Sequence, residues 1–219
     1  MSFLPKKIII LLFVFLIFPA AMFSAPRLLF VAPGESFTPG SAKTGTPSTQ
    51  VSGVPFHVTI YSVDDSTWNL LNTNSQVTVA ASQTTTYNPT SPFFLSDDSV
   101  SPAVNDCKRI VTFTIDPGVA SGSVNYTASG TGGIANGTLA VNVQKVNDLF
   151  FNAISSPQTA GTNIPYTVTA RQAGGATATA FNGTAQVSAV YSGQNITVSV
   201  GNITFTNGVS SGNNALLYD

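Results

Sequence analysis

Apolar and polar side chains alternate over short runs along most of this chain. Phe56, Val58 and Ile60 fall on one side of an extended segment, and His57, Thr59 and Tyr61 on the other. Val111, Phe113 and Ile115 oppose Thr112, Thr114 and Asp116, and Leu139, Val141 and Val143 alternate with Ala140 and Asn142. Tyr166, Val168 and Ala170 alternate in the same way with Thr167, Thr169 and Arg171. A period of two puts successive side chains on opposite faces of a strand, and the runs end at Gly, Pro, Asn or Asp, which favour turns. The pattern predicts an all-β protein of antiparallel two-sheet sandwiches, each with one face of every strand in a core.

The N-terminus departs from this pattern. Lys6 and Lys7 precede an unbroken apolar run from Ile8 to Phe18, followed by small residues up to Ala25. A short basic start, an apolar core and a small-residue site define a secretory signal, so residues 1–25 are expected to form a signal helix cut after Ala25. Counting on through Phe23 approaches the about 20 apolar residues that span a bilayer, so an uncleaved anchor is the alternative, and the only route to a membrane. The expected destination is the cell surface or the medium, by the general secretory route.

Beyond the signal the chain repeats. The stretch Thr46-Pro47 through Phe56-His57-Val58-Thr59 aligns with Ser156-Pro157 through Tyr166-Thr167-Val168-Thr169, and Asn72, Gln76 and Val77 with Asn182, Gln186 and Val187, at an offset of about 110. Farther on, Ile115 to Gly122 aligns with Phe205 to Gly212 at an offset of about 90, so the first copy carries an insertion of about twenty residues. Two domains are expected, 26–146 with an inserted loop at 83–109, and 147–219. On the shorter offset Asp219 falls opposite Ser129, which leaves Leu139, Val141 and Val143 without counterparts. The second copy is therefore expected to lack its last strand, supplied either by further domains of a longer chain or by another chain.

Ser156-Pro157-Gln158-Thr159-Ala160-Gly161, then Pro165-Tyr166-Thr167-Val168-Thr169, then Phe181-Asn182-Gly183-Thr184 leading into a strand, resemble the tandem immunoglobulin-like repeats of bacterial exported and cell-surface proteins. The first copy departs from that pattern at Leu71-Asn72-Thr73 and in its insertion. The resemblance implies two immunoglobulin-like sandwiches, a structural or adhesive role, and no catalytic residues to carry over.

Charge narrows the function classes. Charged residues make up 8% of the chain, against about a quarter in an ordinary soluble domain. Eight basic and nine acidic side chains, with a pI near 5.6, exclude the basic face that a nucleic acid needs. One histidine and one cysteine leave little material for a triad or a tuned general base, and the composition argues against an enzyme and for no cofactor. Cys107 cannot form an intrachain disulfide and is read as a small buried or half-buried filler, with a reactive or intermolecular thiol as the alternative.

The strings that imitate chemistry have plainer readings. Gly208-Val209-Ser210-Ser211-Gly212 matches G-x-S-x-G, but a nucleophile elbow needs a strand-to-helix turn and a nearby histidine, and a hairpin turn is the better reading. Gly130-Thr131-Gly132-Gly133-Ile134-Ala135 matches a dinucleotide string yet runs into another strand, so a glycine-rich turn is expected. Asp64, Asp65, Asp97, Asp98 and Asp148 offer hard oxygens as weak calcium candidates, although no D-x-D-x-D-G spacing organises them and no metal is assigned. Within the inserted loop, Phe93-Phe94-Leu95 either plugs a sandwich edge or forms a binding loop. Trp68 and Tyr87 are core residues or sugar-stacking platforms. Three functions remain open: a surface spacer or adhesin contacting a surface protein or glycan, a carbohydrate-binding accessory of a secreted hydrolase, and a self-assembling surface-layer or matrix component.

Overall fold

A computed structural model describes residues 25–73, 75–95, 107–159, 161–191 and 196–216. The signal segment, apart from Ala25, lies outside the described residues, as do Asp97 and Asp98. Those described form no helix; the protein is all-β, in several mostly antiparallel sheets. The strands are β1 (Pro26–Val31), β2 (Glu35–Ser36), β3 (Thr44–Gly45), β4 (Gln50–Val51), β5 (Phe56–Asp64), β6 (Gln76–Ala81), β7 (Thr85–Asn88) and β8 (Phe93–Phe94). They continue as β9 (Lys108–Ile115), β10 (Gly122–Gly130), β11 (Gly137–Gln144), β12 (Asp148–Phe151), β13 (Asn163–Arg171), β14 (Thr184–Tyr191), β15 (Ile196–Thr204) and β16 (Val209–Leu216).

The first repeat packs one sheet in the order β1-β5-β9-β7 against another in the order β4-β11-β10-β6-β8. The period-two runs supply the shared core: Val58, Ile60, Val111, Phe113 and Ile115 from one sheet meet Val77, Val124, Tyr126, Leu139 and Val141 from the other. Phe113 is its aromatic hub, with ring centroids of Tyr126, Tyr87, Phe56 and Phe30 at 4.9, 5.0, 5.7 and 6.4 Å. Edge-on and tilted rings at such distances add to simple burial.

One pair breaks the antiparallel expectation. β4 runs parallel to β11, Val143 opposite Gln50 and Gln144 opposite Val51. Both segments run toward the same end of the unit, where β4 turns through Gly53 and Pro55 into the other sheet while β11 leaves for the second repeat. Ser52 N–H donates to Gln144 O at 3.0 Å and Gly53 N–H to Ile115 O at 2.8 Å, so the crossing is tied to both sheets.

The second repeat has its own smaller core, Tyr166, Val168, Ala170, Val187, Ile203 and Phe205 among its buried members. The offset of about 110 holds in three dimensions, since Phe56 and Tyr166, Val58 and Val168, and Val77 and Val187 are buried pairwise. The offset of about 90 does not hold in strand pairing. It equates β15 with β9, yet β9 pairs with β5 whereas β15 pairs with β14, and β16 takes the place beside β13. The insertion explains the difference. In the first repeat the chain between β6 and β9 is long enough to lay down β7 and β8, whereas β14 returns at once as a local hairpin, the pairing with the smaller loop-closure cost.

Candidate functional site

Asp64, Asp65 and Asp148 are committed to local structure. Asp64 is 6% exposed, and its Oδ1 accepts from Ser66 N–H at 2.8 Å, Ser66 Oγ–H at 2.7 Å and Thr67 N–H at 2.7 Å. A carboxylate bonded in this way organises the turn that follows it. Asp65 Oδ1 meets Arg27 Nη1 at 2.7 Å, and the Arg27 guanidinium lies 5.1 Å from the Trp68 ring centroid. Trp68, half-buried and at a φ of 61°, thus holds an arginine in that turn. Asp148 accepts from Arg171 Nε at 2.8 Å and Nη2 at 3.2 Å, a bidentate pair across β12 and β13. That hydrogen bond, with the arginine's charge, holds the Asp148 carboxyl below its usual range. Among the described residues no cluster of three His, Cys, Asp or Glu is placed to hold a metal.

The loop triplet divides. Phe93 and Leu95 are buried at 6% and 2% exposure, while Phe94 is turned out at 51%. β8 pairs with β6, Val77 opposite Phe93, so two of the three side chains close the sheet edge. Cys107 is buried and free of any disulfide. Gly208 belongs to a tight turn in which Asn207 and Gly208 both have positive φ, 51° and 78°, and Thr206 and Val209 exchange backbone hydrogen bonds at 2.9 and 3.1 Å. That is the Asn-Gly hairpin geometry. Ser210 is buried, and His57, exposed on β5, has Nδ1 at 3.1 Å from Thr112 Oγ1, so no elbow forms. Gly132 and Gly133, at φ of 77° and 81°, make the turn from β10 to β11.

Tyr87 packs on the core instead of standing clear as a platform. Its phenol is pushed up to about 12, first by burial and then by the neighbouring Tyr126, whose own hydroxyl burial also raises, partly offset by its contact with Thr85 Oγ1 at 3.4 Å. Raised folded-state values mean that this contribution to stability is complete below the ordinary 10.0 and is lost as pH rises from there toward 12. In an alkaline titration followed by phenolate absorbance, two tyrosines should ionise last and together with loss of β-sheet circular dichroism. Ionisation of every tyrosine near pH 10 in the folded protein would contradict this packing.

An exposed apolar strip on β12 is the feature that the alternating pattern did not disclose. Leu149, Phe150 and Phe151 are 41–46% exposed, and Ile154, beyond the end of the strand, is 45% exposed. Arg171 covers Phe150 at 3.8 Å from the ring centroid, and Phe151 leans on Tyr166 at 5.9 Å. The signal in the sequence was the triplet Leu149-Phe150-Phe151 directly after the joint.

No known family model matches the chain, and no curated protein is similar to it in sequence. Among solved structures, surface layer protein SbsC, domains 4–9, matches at 14% identity over 76% of this chain and 26% of that one, with a TM-score of 0.27. This chain therefore spans about a quarter of that structure's length, and a likeness at that score defines neither fold nor function.

Proposed function

We propose that this is an exported, non-enzymatic surface protein whose tandem immunoglobulin-like units serve as a semi-rigid spacer or adhesive display. The joint between the two repeats carries the reading. Gln144 Oε1 accepts from Ala180 N–H at 2.8 Å while its amide donates to Thr179 Oγ1 at 3.4 Å. Ser121 Oγ donates to Gln172 Oε1 at 2.8 Å and accepts from Lys145 N–H at 3.0 Å. A connection of a few residues, bonded on both sides, transmits orientation from one unit to the next, which suits a protein that holds something at a distance. Asp64, Asp148 and Ser210, the groups with the most chemical promise, are spent on turns, an ion pair and burial.

Small-angle scattering of the mature chain tests the joint. One extended particle is expected, and Gln144→Ala, which removes bonds worth about 0.5–1.5 kcal/mol each, should broaden the distance distribution without changing the melting of either unit. An equally broad distribution for the unaltered protein would refute the spacer. Protease shaving of intact cells tests the location, since a surface protein is cleaved without lysis. The exposed strip on β12 favours a second reading, a component that assembles with other chains.

A further inference from the structure

The two sheets of the first repeat turn different surfaces outward. Arg27, Asp64, Lys108 and Arg109 belong to the sheet β1-β5-β9-β7, and the segment carrying β2 and β3 lies against it. There the Phe37 and Tyr61 rings meet at 4.9 Å, and Lys43, whose Nζ is 2.6 Å from Glu35 Oε1, donates to Phe30 O at 2.9 Å. The sheet β4-β11-β10-β6-β8 holds no charged residue in any of its strands. Every described charge of the first repeat is on the opposite sheet, on the β2–β3 segment, in a turn or at the joint. One face of the sandwich is thus charged and partly covered, and the other is neutral.

Strand alternation fixes what the neutral face presents. Val77, Val124, Tyr126 and Val141 point into the core, so the residues between them point out. Asn125, Thr127 and Ser129 of β10 stand exposed between Thr138 and Asn142 of β11 and Thr78 of β6, with Thr127 opposite Thr138 and Ser129 opposite Thr78. Among the described residues none of these six side chains has a hydrogen-bond partner in the protein, so their donors and acceptors are left for something else. The one aromatic ring on this face is Phe94, 51% exposed and opposite Gln76 at the start of β6. From Gln76 to Ala80 the strand runs about 13 Å, at about 3.3 Å per residue. Ala80 then forms part of the lining of an open groove of about 560 Å³, with Ser82, Gln83 and Tyr87.

These features select the chemistry of a partner. A nucleic acid or an acidic polymer needs cationic side chains, and this face has none. Protein interfaces are enriched in aromatic residues, Met and Arg and depleted in Ser and Ala, the reverse of what stands here. A neutral sugar polymer matches. Its hydroxyls donate and accept as Ser, Thr and Asn do, and the apolar C–H face of a pyranose ring lies flat on an aromatic side chain. We propose that the outer face of β6, β10 and β11 binds an extended, neutral polysaccharide that runs along β6 from Phe94 toward the groove at Ser82 and Gln83. This deepens the adhesive reading of the proposed function by naming its partner, and rests on it.

The test measures depletion of the purified protein from solution by amorphous cellulose, chitin and mannan, with hydroxyethyl cellulose and carboxymethyl cellulose as soluble competitors that share a backbone and differ in charge. At least one of the three solids should bind, and carboxymethyl cellulose should compete about tenfold less well than its neutral counterpart, because its carboxylates would lose water with no cation to meet them. Phe94→Ala should weaken binding about tenfold, as truncation of an aromatic anchor does. Thr127→Glu, which puts a charge at the centre of the face, should weaken it as much, and both variants should keep the parent circular dichroism because both positions are exposed. Ile110→Glu, on the opposite sheet at a position 58% exposed, should bind as the parent does. Four results would overturn the proposal: no binding to any of the three solids, full binding by Phe94→Ala and Thr127→Glu, equal loss in Ile110→Glu, or preference for carboxymethyl cellulose. A dimer in sedimentation that Thr127→Glu dissociates would likewise overturn it, by making a second copy the occupant. The assay uses purified protein, so its failure leaves the protease-shaving result standing and the two readings fail separately.

Discussion

Replacing Phe113 with alanine is expected to leave the first repeat at the margin of folding. The side chain is fully buried and touches aromatic rings from both faces of the sandwich, so its removal opens a cavity that neighbours in two sheets cannot close together. Phe→Ala changes in cores cost about 3–5 kcal/mol, and a domain of this size has only about 5–15 kcal/mol in all. Ile110→Ala on the same strand provides the control, because Ile110 is 58% exposed and such surface changes stay within about 0.5 kcal/mol. Urea denaturation followed by Trp68 fluorescence measures both. A loss below about 1 kcal/mol for Phe113→Ala would mean that the core does not converge on this ring.

Elements whose information is local were legible in the sequence. The alternation around Phe56, Val111, Leu139 and Tyr166 predicted strands with the observed inward faces, whereas the hairpin turn expected over Gly208–Gly212 lies one step earlier, at Asn207-Gly208, and Val209–Gly212 belong to β16. β1 was hidden because Leu28, Leu29 and Phe30 are all buried, two toward the core and Leu29 toward the other side, where Phe37 packs on its cross-strand partner Tyr61. A strand covered on both faces does not alternate, and this one follows the apolar run Ile8–Phe18 in the sequence. The exchange of places between β15 and β16 was hidden for a different reason. Similar residues at an offset of about 90 report shared turn chemistry, Pro117-Gly118 against Asn207-Gly208, and not which neighbour a strand chooses. That choice depends on loop length, and the insertion changed it. The exposed strip on β12 could not be read from alternation, because Leu149, Phe150 and Phe151 are consecutive.

Denaturation of residues 1–219 by themselves should proceed in two steps, the second repeat unfolding first. Val124, Tyr126, Leu139, Val141 and Val143 on β10 and β11 have no counterparts among the described residues of the second repeat. At about 1.5–3 kcal/mol for each buried side chain, these five contribute on the order of 10 kcal/mol to the first repeat. A difference of that size rivals the entire net stability of an ordinary domain, about 5–15 kcal/mol. The chain carries its own reporter, since its one tryptophan, Trp68, lies beside Arg27 in the first repeat. Far-ultraviolet circular dichroism, which sees both repeats, should lose part of its signal at a urea midpoint roughly 2 M or more below the fluorescence transition, given slopes of about 1–3 kcal/mol/M. Hydrogen exchange should rank the strands the same way, with β13 amides opening well before those of β5, their equivalents by register. Coincident transitions would show that the two repeats fold as one cooperative body, in which case the bonds of Gln144 and Ser121 across the joint couple them more strongly than their number implies.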